Sequence, residues 1–226
     1  MRTVIKYTSF LILMLLATQL VAQQRTFSVR GGFNYSTVTY EDNNNDYSDN
    51  MDVVPGSHIG VLAQIPVKRN VIIETGVILN MRGFIYEDVM NIGGTNFDVK
   101  TTGTSYYLDI PVTYRPSFRW KRNQMYALVG PYIGIGFGGE IEMEATSGNN
   151  TVSQTDDIVW GSDANSDLKR VDYGLTLGIG YVYRSKLLFG LNYDMGFANL
   201  SPTGNNGETI ANSSINIHIG YIIGRW

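Results

Sequence analysis

The sequence predicts an all-β protein: a signal peptide followed by an eight-stranded antiparallel up-and-down transmembrane β-barrel. Three observations predict it. Beyond residue 25 apolar residues recur at every second position, in eight successive segments. The connections alternate between long polar stretches and short basic ones. None of the 20 acidic residues falls on the apolar face of a segment.

The chain has 226 residues and divides into a signal peptide over residues 1–22 and a barrel domain over residues 23–226. Arg2 and Lys6 form a positive start, residues 10–17 an apolar stretch, and Leu20-Val21-Ala22 a cleavage site ahead of Gln23. That apolar stretch is shorter than the roughly 20 residues of a membrane helix, and no later run reaches 18, so a helical membrane protein is excluded. The chain has no Cys, hence no disulfide framework and no lipid-modified Cys. Charged residues make up only 16%, and the net charge of −3 falls to about −5 once Arg2 and Lys6 are removed. No basic face suggests nucleic acid.

Taken in order, Phe27, Val29, Phe33 and Tyr35 alternate with Ser28, Arg30, Gly32 and Asn34. Ile59, Val61, Ala63, Ile65 and Val67 alternate with His58, Gly60, Gln64 and Lys68. Val71, Ile73, Val77, Leu79 and Met81 then oppose Asn70, Glu74, Gly76, Asn80 and Arg82. Tyr106, Leu108, Ile110, Val112 and Tyr114 oppose Tyr107, Asp109, Thr113 and Arg115. The fifth segment sets Met125, Val129, Ile133, Ile135 and Phe137 against glycines at 130, 134, 136 and 138. The sixth gives an unbroken apolar face from Val171 to Tyr183 against Asp172, Gly174, Thr176, Gly178 and Gly180. Leu187 to Phe197 form the seventh, and Ile215 to Ile223 the eighth, opposite Asn216, His218 and Gly220. Each segment supplies the roughly 9–11 residues of a tilted spanning strand, about twice the usual strand of a soluble sandwich. Only a closed sheet leaves no unpaired backbone in hydrocarbon.

Residues 41–55, 84–103, 140–169 and 199–212 are expected to be long polar loops, and 68–70, 116–123 and 184–186 short turns. Sixteen acidic residues lie in the four long stretches, while Lys68, Arg69, Arg119, Lys121, Arg122, Arg184 and Lys186 lie in or beside the turns. The remaining four carboxylates share the inward face with three arginines. A lumen ion network of Arg30, Glu74, Arg82, Asp109, Arg115, Asp172, Asp194 and His218 is therefore expected, because buried charges must pair and an eight-stranded barrel is just wide enough to be filled by side chains. Phe27, Tyr114, Phe118, Trp120, Tyr181, Tyr183 and Trp226 recur near the short-turn rim, the depth at which aromatics anchor in headgroups. Pro111 and Pro131 fall inside strands, where bulges are expected.

Motifs of cofactor or metal chemistry do not survive inspection. Gly134 to Gly139 matches G-x-G-x-x-G with no helix after it. Asp42 to Asp46 opens like an EF-hand loop but puts Tyr47 where Gly is needed and Val53 where Glu is needed. His58 and His218 sit near Ser57, Ser213 and Ser214 with no orienting third group, so each histidine is expected to bond a carboxylate or Tyr in the lumen. No catalytic residue, cofactor or metal is expected.

Arg30-Gly31-Gly32-Phe33-Asn34-Tyr35-Ser36, Ile73-Glu74-Thr75-Gly76-Val77, Tyr107-Leu108-Asp109-Ile110-Pro111-Val112 and Leu128-Val129-Gly130-Pro131-Tyr132-Ile133-Gly134 resemble the PorT-like outer-membrane β-barrel family of Bacteroidetes. The resemblance spans nearly all of residues 23–226. It implies an eight-stranded barrel in the outer membrane, protein secretion in some members, and no catalytic residues. The expected function is non-enzymatic: structural, adhesive, or part of an envelope assembly, acting through acidic extracellular loops. Expected partners are outer-membrane lipid and other envelope proteins, not nucleic acid. The alternatives are a lipid-modifying outer-membrane enzyme, which needs a nucleophile beside a histidine, and a soluble lipocalin-like carrier, which needs an apolar interior.

Overall fold

The computed structural model describes residues 26–43, 47–48, 51–92, 95–148, 150–202 and 207–224. The expected signal peptide, Asp46, Asp49, Arg225 and Trp226 lie outside them. Ten strands form: β1 (Thr26–Glu41), β2 (Met51–Asp52), β3 (Val54–Lys68), β4 (Val71–Ile92), β5 (Thr95–Trp120), β6 (Asn123–Ser147), β7 (Asn150–Asp157), β8 (Val171–Tyr183), β9 (Leu187–Gly196) and β10 (Thr209–Ile223).

Eight of them close a ring. β1 pairs with β3, β3 with β4, β4 with β5, β5 with β6, β6 with β8, β8 with β9 and β9 with β10, all antiparallel. The seam runs from Phe27↔Ile223 to Glu41↔Thr209 and joins β10 back to β1. The period of two now has its physical cause. Phe33, Ile59, Val61, Ile133, Ile179, Ile217 and Ile219 point outward and are exposed, Phe33 by 72%, while Arg82, Arg115, Glu74 and Asp172 are buried inside. A charge on the outer face near mid-bilayer would cost roughly 2–4 kcal/mol, so lipid selects this inside-out arrangement. Phe118 and Trp120 lie exposed beside the two-residue turn at Lys121-Arg122, with Tyr114 and Tyr183 on the same rim.

Three features depart from the expectations. First, residues 84–103 are not a loop. β4 and β5 stay paired from Phe84↔Gly103 out to Ile92↔Thr95, and β6 and β7 pair from Glu140↔Asp157 to Ser147↔Asn150. Polar, β-branched sequence with no core to bury extends the sheet beyond the membrane, because its backbone groups find partners on neighbouring strands. Second, no bulge forms at Pro111 or Pro131. Pro111 faces Tyr132 and Pro131 faces Leu175 in continuous register. On the other side of each proline the pairing skips a step without shifting, at Gly76-Val77 and at Gly130. A single missing N–H thus drops one rung and leaves the register intact. The bulges sit instead between Pro66 and Lys68 and opposite Tyr106-Tyr107, where Phe137 is the extra residue. Third, residues 158–170 and 197–202 are not merely polar. Ile158, Leu168, Ala198 and Leu200 are buried together, with Trp160, Ile141 and Ile210 packed against them.

Candidate functional site

Two regions gather polar chemistry: the lumen, and the sheet that projects past the membrane. In the lumen the charges form two clusters. Toward the short turns, Glu74 accepts from Arg115 (Nη1–Oε2 2.9 Å) and is in direct contact with Arg30. Gln64 donates to the same Oε2 at 3.3 Å, and the Arg115 guanidinium lies 3.7 Å from the Tyr126 ring centre. Toward the long connections, Arg82 holds Asp109 at 2.8 Å and Asp172 at 3.0 Å, with Asp194 at 3.9 Å. Its guanidinium sits 5.1 Å from the rings of both Tyr107 and Tyr132.

Neutral donors complete the second cluster. Asn80 donates to Asp109 at 3.0 Å and accepts from Asn34 at 2.9 Å. Tyr132 and Asn212 both donate to Asp172. Thr176 and Asn216 donate to Asp194 at 2.6 and 2.9 Å. Seven of the eight residues expected in the network are therefore brought together. Asn34, Gln64, Asn80, Asn216 and Thr176 carried the same signal, being polar at inward positions of the period-two pattern. Tyr132 and Asn212 had none beyond parity.

His218 is the exception. It meets His58 edge-on, with ring centres 6.0 Å apart, and pairs with no carboxylate. The expected carboxylate or tyrosine partner is absent for both histidines among the described residues. Their strands put them opposite each other across β1, at Gly32↔His218 and Gly32↔His58, where the nearest interior space is a cavity of about 40 Å³. Neither is bonded to serine: Ser213 donates to the Tyr193 hydroxyl, and Ser214 accepts from Asn216.

Apolar residues shut both ends of this polar core. At the short-turn end Tyr126, Leu128, Val182 and Leu188 pack together, Leu188 at 0% exposure. At the other end Trp160 stands edge-on to Tyr107 at 5.6 Å beneath the Ile158-Leu168-Ala198-Leu200 cluster. A side chain at Gly136 would collide with the Trp160 ring. The lumen is thus a filled, closed interior, and it is polar where a lipocalin-like carrier would be apolar.

The projecting sheet runs in the order β2-β4-β5-β6-β7. The Phe137 bulge shifts the parity of β6. Before it, even-numbered residues such as Tyr132 face inward; after it, Ile141 does, and Glu140, Glu142 and Glu144 face outward. Cross-strand pairing carries this to the neighbours: Lys100↔Glu144↔Ser153, Thr102↔Glu142↔Thr155 and Thr104↔Glu140↔Asp157 share the outer face. Lys100, the sole cation of these rows, is bound to Glu87 at 3.0 Å. The inner face presents Val99, Ile141, Met143, Ala145 and Val152, with carboxylates among the described residues only at Asp88 and Asp156.

Beside this geometry, comparison with known proteins matches most of the chain to one family and to several solved structures. A model of the family described as outer membrane protein beta-barrel domain matches residues 21–202. No curated protein matches the chain. Among solved structures the chain is similar to Ail, the attachment invasion locus protein of Yersinia pestis, in complex with the heparin analogue sucrose octasulfate. The identity is 10%, with 89% of this chain and 99% of that chain covered and a TM-score of 0.38. It is also similar to the outer membrane protein OprG from Pseudomonas aeruginosa, at 15% identity, 89% and 97% coverage and a TM-score of 0.41. A third similar structure is the outer membrane protease OmpT from Escherichia coli, at 9% identity, 90% and 97% coverage and a TM-score of 0.34.

Proposed function

The chain belongs to the outer membrane protein beta-barrel domain family, and from that premise we propose that it is a non-enzymatic component of an envelope assembly that acts through its acidic extracellular end. One observation carries this: the division of the molecule into a closed lumen and a projecting sheet. Lumen charges are spent on one another, so their role is structural. The chemistry left for a partner is the acidic outer face of β4 to β7. The resemblance to the PorT-like family supports secretion as the process served. The exposed apolar belt takes outer-membrane lipid as its partner, and the surplus of carboxylates on the sheet disfavours nucleic acid.

Site-specific photocrosslinking in intact outer membranes tests the proposal. A crosslinker at Thr102 or Thr155, both beside Glu142 on the outer face, is expected to capture one reproducible envelope protein. Capture of none from either position, with the barrel correctly inserted, would refute an assembly role.

A further inference from the structure

Ring closure removes every strand edge inside the membrane, since each of the eight spanning strands has two partners. Beyond the membrane the wall is incomplete. β8 begins at Val171 and β9 ends at Gly196, which leaves a gap in the strand order between β7 and the upper part of β10, spanned by residues 158–170 and 197–202. The two edges bordering that gap are treated differently. The β10 edge is covered: the Leu200 N–H donates to the Ile210 carbonyl at 2.8 Å, and the Ile210 N–H donates to Asn199 Oδ1 at 3.2 Å. The β7 edge is bare. Among the described residues β7 pairs with β6 alone, and all eight of its residues are exposed.

Natural edges of this length are normally blunted by Lys, Pro, a bulge or a covering segment. β7, Asn150-Thr151-Val152-Ser153-Gln154-Thr155-Asp156-Asp157, has no Lys, Pro or Gly, confines its charges to Asp156 and Asp157 at one end, and its register against β6 is unbroken over all eight residues. We infer that β7 is a docking edge to which a cationic, extended segment of a partner protein adds as a further strand. This deepens the function proposed above and rests on it.

Charge selects the occupant. The β6–β7 hairpin carries Glu140, Glu142, Glu144, Asp156 and Asp157 and no Lys or Arg from residue 139 to residue 157. On the outer face the β7 positions flanking the glutamates are Ser153 and Thr155. These side chains are short. A Lys or Arg on the added strand, two strand spacings or roughly 10 Å from β6, can lean across them to the carboxylates. On the inner face Val152 is 72% exposed and accepts the apolar residues that alternate with those cations. A second copy of this chain is disfavoured, because it would bring together two hairpins that each carry these five carboxylates and no cation. Main-chain hydrogen bonds then supply affinity and the alternating side chains supply specificity.

The test uses the full chain in lipid nanodiscs and an acetylated nine-residue peptide of alternating Lys and Val. Hydrogen exchange is expected to slow in residues 150–157 when the peptide is added. The same peptide methylated at every backbone nitrogen, and a Glu–Val counterpart, are expected to leave it unchanged. The double variant Ser153→Lys/Thr155→Lys, which places cations on an exposed edge with no core contacts, is expected to weaken binding by at least about tenfold. No protection by the Lys–Val peptide, equal protection by the methylated peptide, or undiminished binding to the double variant would each overturn strand addition. Photocrosslinking separates the two levels. A partner still captured from Thr102 by the double variant sinks the docking edge and leaves the assembly role standing, whereas capture of none by the unaltered chain sinks the role itself.

Discussion

Arg82 and Arg115 are both buried lumen arginines, yet they stand in opposite balances. Arg82 is the one cation among Asp109, Asp172 and Asp194, whereas Arg115 shares the single Glu74 with Arg30. Removing one partner of a buried pair costs about 3–5 kcal/mol because the other charge is left uncompensated. Arg82→Met strands three carboxylates, so it is expected to lose stability in that range. Arg115→Met leaves Glu74 with Arg30 and relieves a crowded pair of cations, so its loss is expected to be clearly smaller. Urea unfolding in lipid vesicles, followed by tryptophan fluorescence, ranks the two, and equal losses would contradict the two-cluster description. These arginines were legible in the sequence because parity alone decides which side of a strand faces lipid. The histidines were legible only in position. That His58 and His218 meet across β1 depends on the register of two strand pairs, which alternation does not encode.

At the level of the element, the Phe137 bulge decides what the projecting sheet looks like. Without it Glu140, Glu142 and Glu144 would turn toward the barrel axis and Ile141 and Met143 toward solvent. Gly139, two residues past the bulge and paired with Ser105, has a φ of 155°, where a side chain is strained, and its missing Cβ leaves room for the Thr104 carbonyl and Ile158. Gly139→Ala is expected to destabilise by about 1–3 kcal/mol. The damage should be confined to the β6–β7 hairpin and the mouth cluster, and hydrogen exchange by segment reads it. Uniform destabilisation of the barrel would argue against a local role. Here the sequence said least. Alternation persists on both sides of Phe137, and one extra residue is invisible in composition. For the same reason residues 84–103 read as a loop: polar Thr, Asn and Asp predict exposure, and a solvated hairpin is just as exposed.

For the whole molecule, the strand count, the ring and the inside-out polarity follow from the eight alternating segments. The separation of acidic and basic ends follows from the connections. The absence of Cys makes orientation simple to measure. With a single Cys at Ser153, an impermeant maleimide is expected to label intact cells; with Cys at Lys121, in the turn beyond Trp120, labelling is expected only after the outer membrane is permeabilised. The reverse pattern would invert the molecule and place the acidic sheet in the periplasm.

The seam between β1 and β10 joins the first described strand to the last, from Phe27↔Ile223 onward. No partial chain can make that contact. Until the final strand arrives, β1 and the growing end both expose unpaired backbone, so the ring closes as a late, long-range step, the slowest kind of pairing. The chain must therefore reach the membrane unclosed, with its lipid-facing side chains shielded from water on the way. Its closing time, rather than its finished stability, is the interval in which it is open to aggregation.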